Sequence, residues 1–465
     1  MSYEVIVVGG GIGGLTAAAL LSARGVKVCL FERESQVGGC VANFDHLGYT
    51  FEPTAGLYQG WEPGGIYERI FSELPVNRPR VRRVSPAYVV RLADGADITA
   101  VEDEAHFERN LKVAFPECAD AAVGFYRHLE SPESTPSSQP PLENFLAATS
   151  PRFRSFIEAQ LKMFAQGSSE RCSYMDAAEV LISPRRGFFA MAGGAQSLAT
   201  SLGEAIKISG GTIRLNTPVL RLAFGSDGSP VGVDLLSGET VVATRAIISN
   251  LTIWDTYGKL IGLSRTPVEI RAQLRSSRSW GAYLMFIAMD ESVNSRLSSD
   301  HVLVVQDRIP NHNDKSPPRH FVFAAAPQWD KRAPDGKRAV TVFRWTEAEE
   351  WFAFHEDNEE HEKMDQKKLE ESWLDLHAAM PELGDGVEII ETATPKTFYE
   401  RTRRTLGMVG HPASTLAFGR PDRKPAILPN MFIVGDTVSF SFGIASVSSD
   451  ALLLVNSITG PIEQR

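Results

Sequence analysis

The chain has 465 residues, which exceeds the size at which a single hydrophobic core keeps growing, so we expect two lobes. Its apolar fraction of 43% is typical of a soluble globular protein, and its formal net charge of −10 argues against nucleic acid or an anionic membrane as an electrostatically held partner. An apolar surface patch would still permit transient contact with a membrane surface.

The four cysteines, Cys29, Cys40, Cys118 and Cys172, are scattered and form no CxxC pair, so we expect reduced thiols and a cytoplasmic protein. The first predicted strand begins close to Met1, which leaves no room for a signal peptide. No apolar run reaches the length of about 18 residues that a membrane-spanning helix needs.

The N-terminal segment predicts a strand, a glycine-rich turn, a helix and a second strand. The apolar run VIVV comes first, GGGIGG follows, and an Ala/Leu-rich helix leads to the strand VKVCLFE, which ends at Glu32. In this GxGxxG pattern Gly9 permits the tight turn, Gly11 lets the backbone approach a pyrophosphate, and Gly14 lets the helix pack close to the strand. Glu32 can accept hydrogen bonds from ribose hydroxyls. The unit therefore predicts a dinucleotide site, without deciding between NAD and FAD.

Two further elements favour FAD. A second glycine pair, Gly38 and Gly39, comes soon after the acid at the end of the second strand. Far along the chain, a predicted strand ends in Gly435-Asp436, and a helix opens near Gly443. An Asp at the end of a strand can bind a ribityl hydroxyl, and the start of the helix can face the flavin or its phosphates. NAD enzymes do not need this distant element.

The chain resembles the phytoene desaturase, carotenoid isomerase and retinol saturase group of FAD proteins, within the larger flavin amine oxidase fold. Five stretches in the group's order carry the resemblance: VGGGIGGLTAAALLSARG, VGGCVANFDHLGYTFE, GGAQSLATSLGEAIKISGGTIRLNTPVLRL, TPKTFYERTRRTLGMVGH and FIVGDTVSFSFGIASV. The resemblance implies an α/β fold of the two-dinucleotide-binding-domain flavoprotein type. A Rossmann-like FAD-binding domain would be accompanied by an α+β substrate domain built from insertions.

In this interpretation both domains are discontinuous in the chain. The FAD-binding domain would comprise residues 1–75, 181–255 and 405–465. The substrate-binding domain would comprise residues 76–180 and 256–404.

The motifs and the resemblance together give a set of expected cofactor-binding residues. They are Gly9, Gly11, Ile12, Gly13, Gly14, Glu32, Arg33, Gly38, Gly39, Cys40, Thr54, Ala55, Gly56, Val219, Gly435, Asp436, Gly443, Ile444 and Ala445. Val219 is included because, in the resembled group, the Val after this Asn-Thr-Pro meets the adenine through its backbone. Cys40 departs from the basic residue that is common there after the paired glycines, which bears on one phosphate contact and not on the flavin.

Other side chains near these motifs have two interpretations each. Arg401, Arg403 and Arg404 are candidates for anchoring the flavin or a polar end of the substrate, with surface salt bridges as the alternative. Tyr58 and Trp61 would either border the edge of the flavin or pack in the core.

The second lobe shows a further ambiguous helix and a predicted sheet. PRFRSFIEAQLKMFAQ spaces its apolar residues as a helix that faces a core or forms the wall of an apolar substrate channel. AYLMFIAM, HVLVVQD, HFVFAAA and AVTVFRW are predicted strands of one sheet. The Pro/Ser-rich segment 129–142 predicts an exposed loop. His355 and His361 lie on a highly charged helix at a spacing that favours a solvated surface over a metal site.

The resemblance implies FAD-dependent oxidoreduction at C–C bonds of an apolar molecule such as a carotenoid or another polyprenoid. Desaturation, saturation and flavin-assisted isomerisation all remain open, as do the electron acceptor and any catalytic acid or base; no metal is expected. A flavin amine oxidase is one alternative, weakened because Gly281 and Ala282 stand where many of those enzymes have a Lys. A non-enzymatic dissociation inhibitor that binds prenylated proteins is the other, and the intact glycine set argues against it.

Overall fold

The computed structural model describes residues 2–130, 142–170, 172, 174–306, 319–353, 357–410, 428–439 and 443–461. The strands are β1 (Ser2–Val8), β2 (Val28–Phe31), β3 (Phe44–His46), β4 (Tyr49–Phe51), β5 (Val81–Val84), β6 (Tyr88–Arg91), β7 (Asp97–Ala100), β8 (Phe188–Met191), β9 (Thr212–Arg214), β10 (Val219–Phe224), β11 (Pro230–Leu235), β12 (Thr240–Ser249), β13 (Gly281–Asp290), β14 (His301–Val304), β15 (Phe321–Ala325), β16 (Lys337–Thr346), β17 (Val387–Ala393) and β18 (Met431–Ile433).

The α-helices are α1 (Ile12–Ala23), α2 (Ile66–Glu73), α3 (Glu104–Ala114), α4 (Ala119–Glu130), α5 (Leu142–Leu146), α6 (Pro151–Ala165), α7 (Tyr174–Arg186), α8 (Ala195–Ile208), α9 (Ile253–Asp255), α10 (Val268–Ser276), α11 (Asn358–Ala379), α12 (Pro395–Thr402) and α13 (Gly443–Thr459). None of these helices is both long enough and apolar enough to cross a membrane. The four cysteines, all of which are described, form no disulfide.

The first sheet carries the glycine-rich turn at its centre. Its strands run in the order β10-β11-β12-β1-β2-β9, with β18 also paired to β12, and the strands β18, β12, β1, β2 and β9 are parallel. Val5 and Val7 of β1 pack in the core that contains α1 and α8, whereas Ile6 and Val8 pack in the core on the other face. Because both faces are covered there, the buried half of the strand, from Val5 to Val8, is apolar throughout.

The second sheet has the order β17-β13-β16-β15-β14-β6-β7, and its strands come from three separate stretches of the chain. The four strands that the sequence assigned to one sheet, β13 to β16, lie side by side in it, so that prediction is confirmed. Leu303 and Val322 face the helical core of α3 to α7, while Val302 and Phe323 face the core that includes α11. The α/β fold with an α+β second lobe is therefore also confirmed.

The packing of two segments bears on the expected domain boundaries. Helix α7 is continuous across residues 180 and 181, and its residues Leu181 and Ile182 pack in the core of the second lobe. Tyr257 and Leu274 pack against the first sheet. These contacts favour boundaries near the end of α7 and near the end of α10, and the division into domains stays a proposal.

Helix α6 combines the two interpretations of its sequence. Four apolar residues of this helix are buried in the helical core: Phe153, Phe156, Ile157 and Leu161. Phe164, in contrast, is half-buried and lines a large cavity.

In the part of the chain that the structure describes, the histidines of the charged segment show no sign of a metal site. On α11, His361 Nε2 lies 3.2 Å from Thr394 Oγ1. Within the described residues, no group of His, Cys, Asp and Glu side chains converges as a metal site. His355 lies outside the described residues, as does most of the Pro/Ser-rich segment.

We expect Gly14→Ala to destabilise the protein, because its Cβ would lie 2.3 Å from the carbonyl oxygen of Gly9. Overpacking of this kind costs about 1–3 kcal/mol. Gly124→Ala is the matched control: Gly124 is exposed in α4 with nothing within 4 Å of an added Cβ, so it should gain about 0.5–1 kcal/mol. Urea unfolding of both apoproteins, followed by circular dichroism, measures the difference. Equal midpoints for the two variants would contradict this packing.

Candidate functional site

A continuous cavity of about 770 Å³ is lined by residues of both lobes. It brings the two ends of the chain together, because the N-terminal glycine turn and the start of α13 face the same space. The expected cofactor-binding residues that line it are Gly9, Gly11, Ile12, Gly13, Glu32, Arg33, Gly38, Gly39, Cys40, Thr54, Ala55, Val219, Gly435, Asp436, Gly443 and Ile444.

Three of the expected residues do not line this cavity. Gly14 packs beneath the turn, which agrees with the helix-packing role that the sequence suggested. Gly56 borders a second, small cavity of about 20 Å³ beside His301. Ala445 packs against the core that contains α1. The placement of Gly56 and Ala445 does not support direct contact with a ligand in the large cavity.

Sequence reasoning missed Asn250, which follows β12 and fills the space that three glycines leave. An added Cβ on Gly11 would lie 2.6 Å from Asn250 Nδ2, and one on Gly13 would lie 2.8 Å from Asn250 Oδ1. A Cβ on Gly435 would lie 3.2 Å from the same oxygen. The signal was available, because β12 is parallel to β1 and the carboxyl ends of parallel strands form the ligand-binding edge of such a sheet.

Glu32 lies at the end of β2 with its carboxylate turned towards the glycine turn. Its Oε2 accepts a hydrogen bond from Gly10 N at 2.6 Å, and its Oε1 accepts one from Glu34 N at 2.9 Å. Burial raises the pKa of Glu32 above its ordinary value, against the effect of these backbone hydrogen bonds. Arg33 pairs with Glu34 and also lines the cavity.

Asp436, expected at a ribityl hydroxyl, holds Arg404 in a bidentate ion pair. Arg404 Nη1 lies 3.1 Å from Asp436 Oδ1, and Nη2 lies 2.7 Å from Oδ2. The side chain of Arg404 is 13% exposed and that of Asp436 is 34% exposed, so this is a partly buried pair at the cavity and not the surface salt bridge that was the alternative. Cys40 lies next to this pair, and burial raises the pKa of its thiol despite the charge of Arg404.

The other two candidate arginines also line the cavity. Arg401 Nη2 donates a hydrogen bond to the carbonyl oxygen of Asn43 at 3.0 Å. The guanidinium of Arg403 lies 5.1 Å from the centre of the Tyr399 ring. These contacts hold both side chains at the rim of the site through a backbone carbonyl and an aromatic ring.

The second lobe contributes an uncharged surface to the cavity, which we call the apolar wall. It consists of Met163, Phe164, Ala282, Val322, Phe343 and Trp345. Phe343 and Trp345 pack edge to face with ring centres 4.6 Å apart. The indole N–H of Trp345 donates to the carbonyl oxygen of Met163 at 3.1 Å, so the polar atom of this ring is satisfied within the protein. The wall therefore offers contacts to an apolar ligand.

Neither of the two aromatic residues after EPTAG lines the large cavity. Trp61 stacks on Tyr67 with ring centres 4.2 Å apart, so its core interpretation is the one that the structure supports. Tyr58 is also buried, and its hydroxyl lies 3.0 Å from Thr54 Oγ1, which does line the cavity. Tyr58 donates to Glu52, a residue that sequence reasoning did not single out.

The chain belongs to the flavin-containing amine oxidoreductase family, which it matches over residues 12–444. Among curated proteins it is similar to the chloroplastic prolycopene isomerase of Arabidopsis thaliana, with 24% identity, 99% of this chain and 83% of the relative being covered. It is also similar to the all-trans-retinol 13,14-reductase of Homo sapiens, with 22% identity over 98% of this chain and 85% of the relative.

Solved structures show the same fold at lower identity. An oxidoreductase from Methanosarcina mazei superposes with a TM-score of 0.71 at 18% identity, covering 99% of this chain and all of the other. Putrescine oxidase bound to putrescine gives 0.61 at 14% identity, with 98% of each chain covered. The RAB GDI of Plasmodium falciparum gives 0.56 at 14% identity, with 100% and 99% covered.

The protein is a flavoprotein oxidoreductase and its cofactor is FAD. The residues of the glycine turn fit this cofactor. Helix α1 begins after Gly11 without a side-chain cap and without an acidic residue in its first turn, so its N–H groups and positive dipole end are left for a diphosphate. Side chains at Gly11 and Gly13 would collide with Asn250, which keeps bare backbone at the edge of the cavity.

We expect FAD binding to weaken as the pH falls, starting above the ordinary carboxyl range. The ionised form of Glu32 accepts hydrogen bonds from ribose hydroxyls more strongly than the protonated form, and its raised pKa means that it takes up a proton at a higher pH than an exposed Glu. Flavin fluorescence quenching between about pH 8 and pH 5 measures the dissociation constant. Glu32→Gln should bind FAD more weakly at neutral pH and lose this pH dependence. An unchanged pH profile in that variant would contradict the assignment.

We expect Arg404→Met to weaken FAD binding by about 10- to 100-fold, the range for a hydrogen bond to a charged group. The diphosphate is anionic, and Arg404 is a largely buried cation that pairs with Asp436 at the cavity. Adding Cys40→Arg to Arg404→Met should restore part of the affinity, because Cys40 lies beside the lost guanidinium. Arg403→Met is the control. Equal FAD affinities of the Arg404 and Arg403 variants would refute this role.

Proposed function

We propose that the protein acts on C–C bonds of an extended apolar substrate, of the polyprenoid or carotenoid class, by desaturation, saturation or isomerisation. The apolar wall is the observation that carries this proposal. Its six side chains bring no charge to the cavity, and the polar atom of Trp345 is already satisfied. The names of the relatives, a prolycopene isomerase and a retinol 13,14-reductase, support the same class of substrate.

FAD, when bound, supplies the hydride and electron chemistry. The protein therefore has to bind the cofactor and the substrate, orient them, and exclude water. We propose that the glycine turn, Glu32, Val219 and Asp436 hold the nucleotide, together with the other expected residues that line the cavity. The apolar wall would bind the substrate and exclude water from the reacting bond. None of the six side chains of this wall is an acid or a base near neutral pH. Any proton transfer must therefore involve a residue elsewhere in the cavity.

We propose that the discontinuous FAD-binding domain is built on the first sheet and the substrate-binding domain on the second, with boundaries shifted to the ends of α7 and α10. The cavity then lies where the two domains meet, which is a preferred place for ligand sites.

The proposed class of substrate also bears on contact with a membrane. A substrate that dissolves in the bilayer would be collected by reversible contact of the protein with the membrane surface.

Amine oxidation is less well supported by the residues of the cavity. Gly281 begins β13 and Ala282 belongs to the apolar wall, so neither position supplies a Lys. The apolar wall also offers no carboxylate to balance a cationic amine. The other alternative, binding of prenylated proteins without catalysis, would not require FAD and is therefore also less well supported.

We expect an anaerobic incubation of the holoenzyme with a panel of polyenes, with oxidised or reduced flavin, to convert at least one compound. Product mass and chromatography distinguish the reactions: a change of two hydrogens indicates desaturation or saturation, and unchanged mass with altered retention indicates isomerisation. Turnover of amines with release of hydrogen peroxide, and of no polyene, would contradict the proposal. Free FAD at the same concentration is the control for uncatalysed chemistry.

A variant of the apolar wall tests whether the same cavity binds the substrate. Phe164→Ala should raise the KM for the converted polyene by about 10- to 100-fold, the cost of losing a buried aromatic contact. Its affinity for FAD should be unchanged. Phe71→Ala is the matched control, because Phe71 is half-buried beside Trp61 and does not line the cavity.

A further inference from the structure

Glu52, which follows β4, is held by three hydrogen-bond donors in the interior. Arg332 of the second lobe pairs with its Oε2, and the two side chains are 3% and 8% exposed. Ala195 N, in the first turn of α8, donates to Oε1 at 3.0 Å, and the hydroxyl of Tyr58 donates to the same oxygen. Arginine and a backbone N–H can only donate, so both carboxylate oxygens act as acceptors.

Arg332 also joins Glu52 to a second carboxylate. Arg332 also pairs with Asp330, whose Oδ2 lies 2.6 Å from its Nε. Gly193 N donates to the same Asp330 oxygen at 2.8 Å. The carboxylates of Glu52 and Asp330 thus both pair with the guanidinium of Arg332, and both accept from backbone N–H groups at the N-terminal end of α8. The positive end of the helix dipole compensates the excess negative charge. Because both of its oxygens accept from these donors, Glu52 offers no hydrogen of its own to Tyr58.

The direction of the next hydrogen bond follows from this. Burial, and then the negative charge of Glu52, raise the pKa of Tyr58 well above its ordinary value, so the phenol keeps its single proton. Since that proton is donated to Glu52, the oxygen of Tyr58 can only accept from Thr54, 3.0 Å away. The hydroxyl hydrogen of Thr54 consequently points away from the cavity. Its oxygen also accepts from Gly56 N at 3.3 Å.

We propose that Thr54 is an obligate hydrogen-bond acceptor in the cavity, and that it positions FAD by accepting from an N–H group of the isoalloxazine ring. A hydroxyl can ordinarily donate or accept, but here Tyr58 and Glu52 fix its orientation. Thr54 is the member of this chain of hydrogen bonds that lines the large cavity, and Ala55 beside it packs against the core that contains Val322. Tyr58 and Glu52 act as positioning residues.

The inference rests on FAD as the cofactor and is independent of the proposed substrate. It also has a chemical consequence for that proposal. A proton could leave the cavity along Thr54, Tyr58 and Glu52, since the chain ends in a carboxylate that can accept it. A proton could enter by this route only after one had first been placed on Glu52, against the charge of Arg332.

The test compares two ligands on four apoproteins: wild type, Thr54→Val, Thr54→Ser and Tyr58→Phe. FAD carries the isoalloxazine ring, and ADP carries the adenine end without it. Calorimetric titration gives both dissociation constants, and the absorption bands of bound FAD report the surroundings of its ring. Thermal unfolding of the apoproteins identifies a variant that has lost its fold.

We expect Thr54→Val to weaken FAD binding by about three- to tenfold, to leave ADP binding unchanged and to shift the flavin absorption bands. Thr54→Ser should resemble wild type. Tyr58→Phe should give an intermediate result, because the hydroxyl of Thr54 is then free to turn its hydrogen into the cavity. FAD binding by Thr54→Val with wild-type affinity and spectrum would overturn the inference, and so would equal weakening of FAD and ADP. Failure of every protein to bind FAD would instead overturn the cofactor itself.

Discussion

The close approach of the glycine turn to its neighbours is the constraint on which the site depends. Helix α1 rests on the end of β1 so closely that an added Cβ at Gly14 would lie 2.3 Å from the carbonyl oxygen of Gly9. Asn250 occupies the adjoining space, within 3.2 Å of where side chains at Gly11, Gly13 and Gly435 would begin. Two segments that are distant in sequence, the glycine turn and the segment at Gly435, therefore meet as bare backbone around the amide of Asn250, which belongs to a third.

This constraint gives the large cavity two kinds of surface. One part of its lining is polar: the backbone of the glycine turn, Glu32 and the Arg404–Asp436 pair, which suit a charged and hydroxylated nucleotide. The second lobe contributes the apolar wall. The buried pair of Glu52 and Arg332 joins the two lobes behind this cavity. Buried ion pairs often add little net stability, so its value here lies in fixing the orientation of Tyr58 and Thr54.

The sequence was most informative where the signal is local. The strand, turn and helix around Gly9 lie within one short stretch, so these elements could be predicted from their local pattern. Four of the seven strands of the second sheet, β13 to β16, were also predictable from their apolar runs. The family resemblance was confirmed, whereas the domain boundaries and the cofactor contacts of individual residues are still predictions.

The remaining features depend on contacts between distant parts of the chain. Asn250 meets the glycine turn only because β12 pairs beside β1, and Glu52 meets Arg332 across 280 residues. Arg404 could be interpreted as an exposed arginine until its pairing with Asp436 was known. Tyr58 was placed either at the flavin or in the core. It lies in the core and reaches the cavity through Thr54, an arrangement that spacing alone does not reveal.

A crystal structure of the FAD complex would test most directly whether both ends of the chain and both lobes enclose one cofactor. The account predicts density for the diphosphate at the start of α1, beside Asn250, and for the isoalloxazine ring between the segment that starts at Gly435 and the apolar wall. Density for FAD elsewhere on the protein, or side chains filling this cavity in the complex, would contradict it.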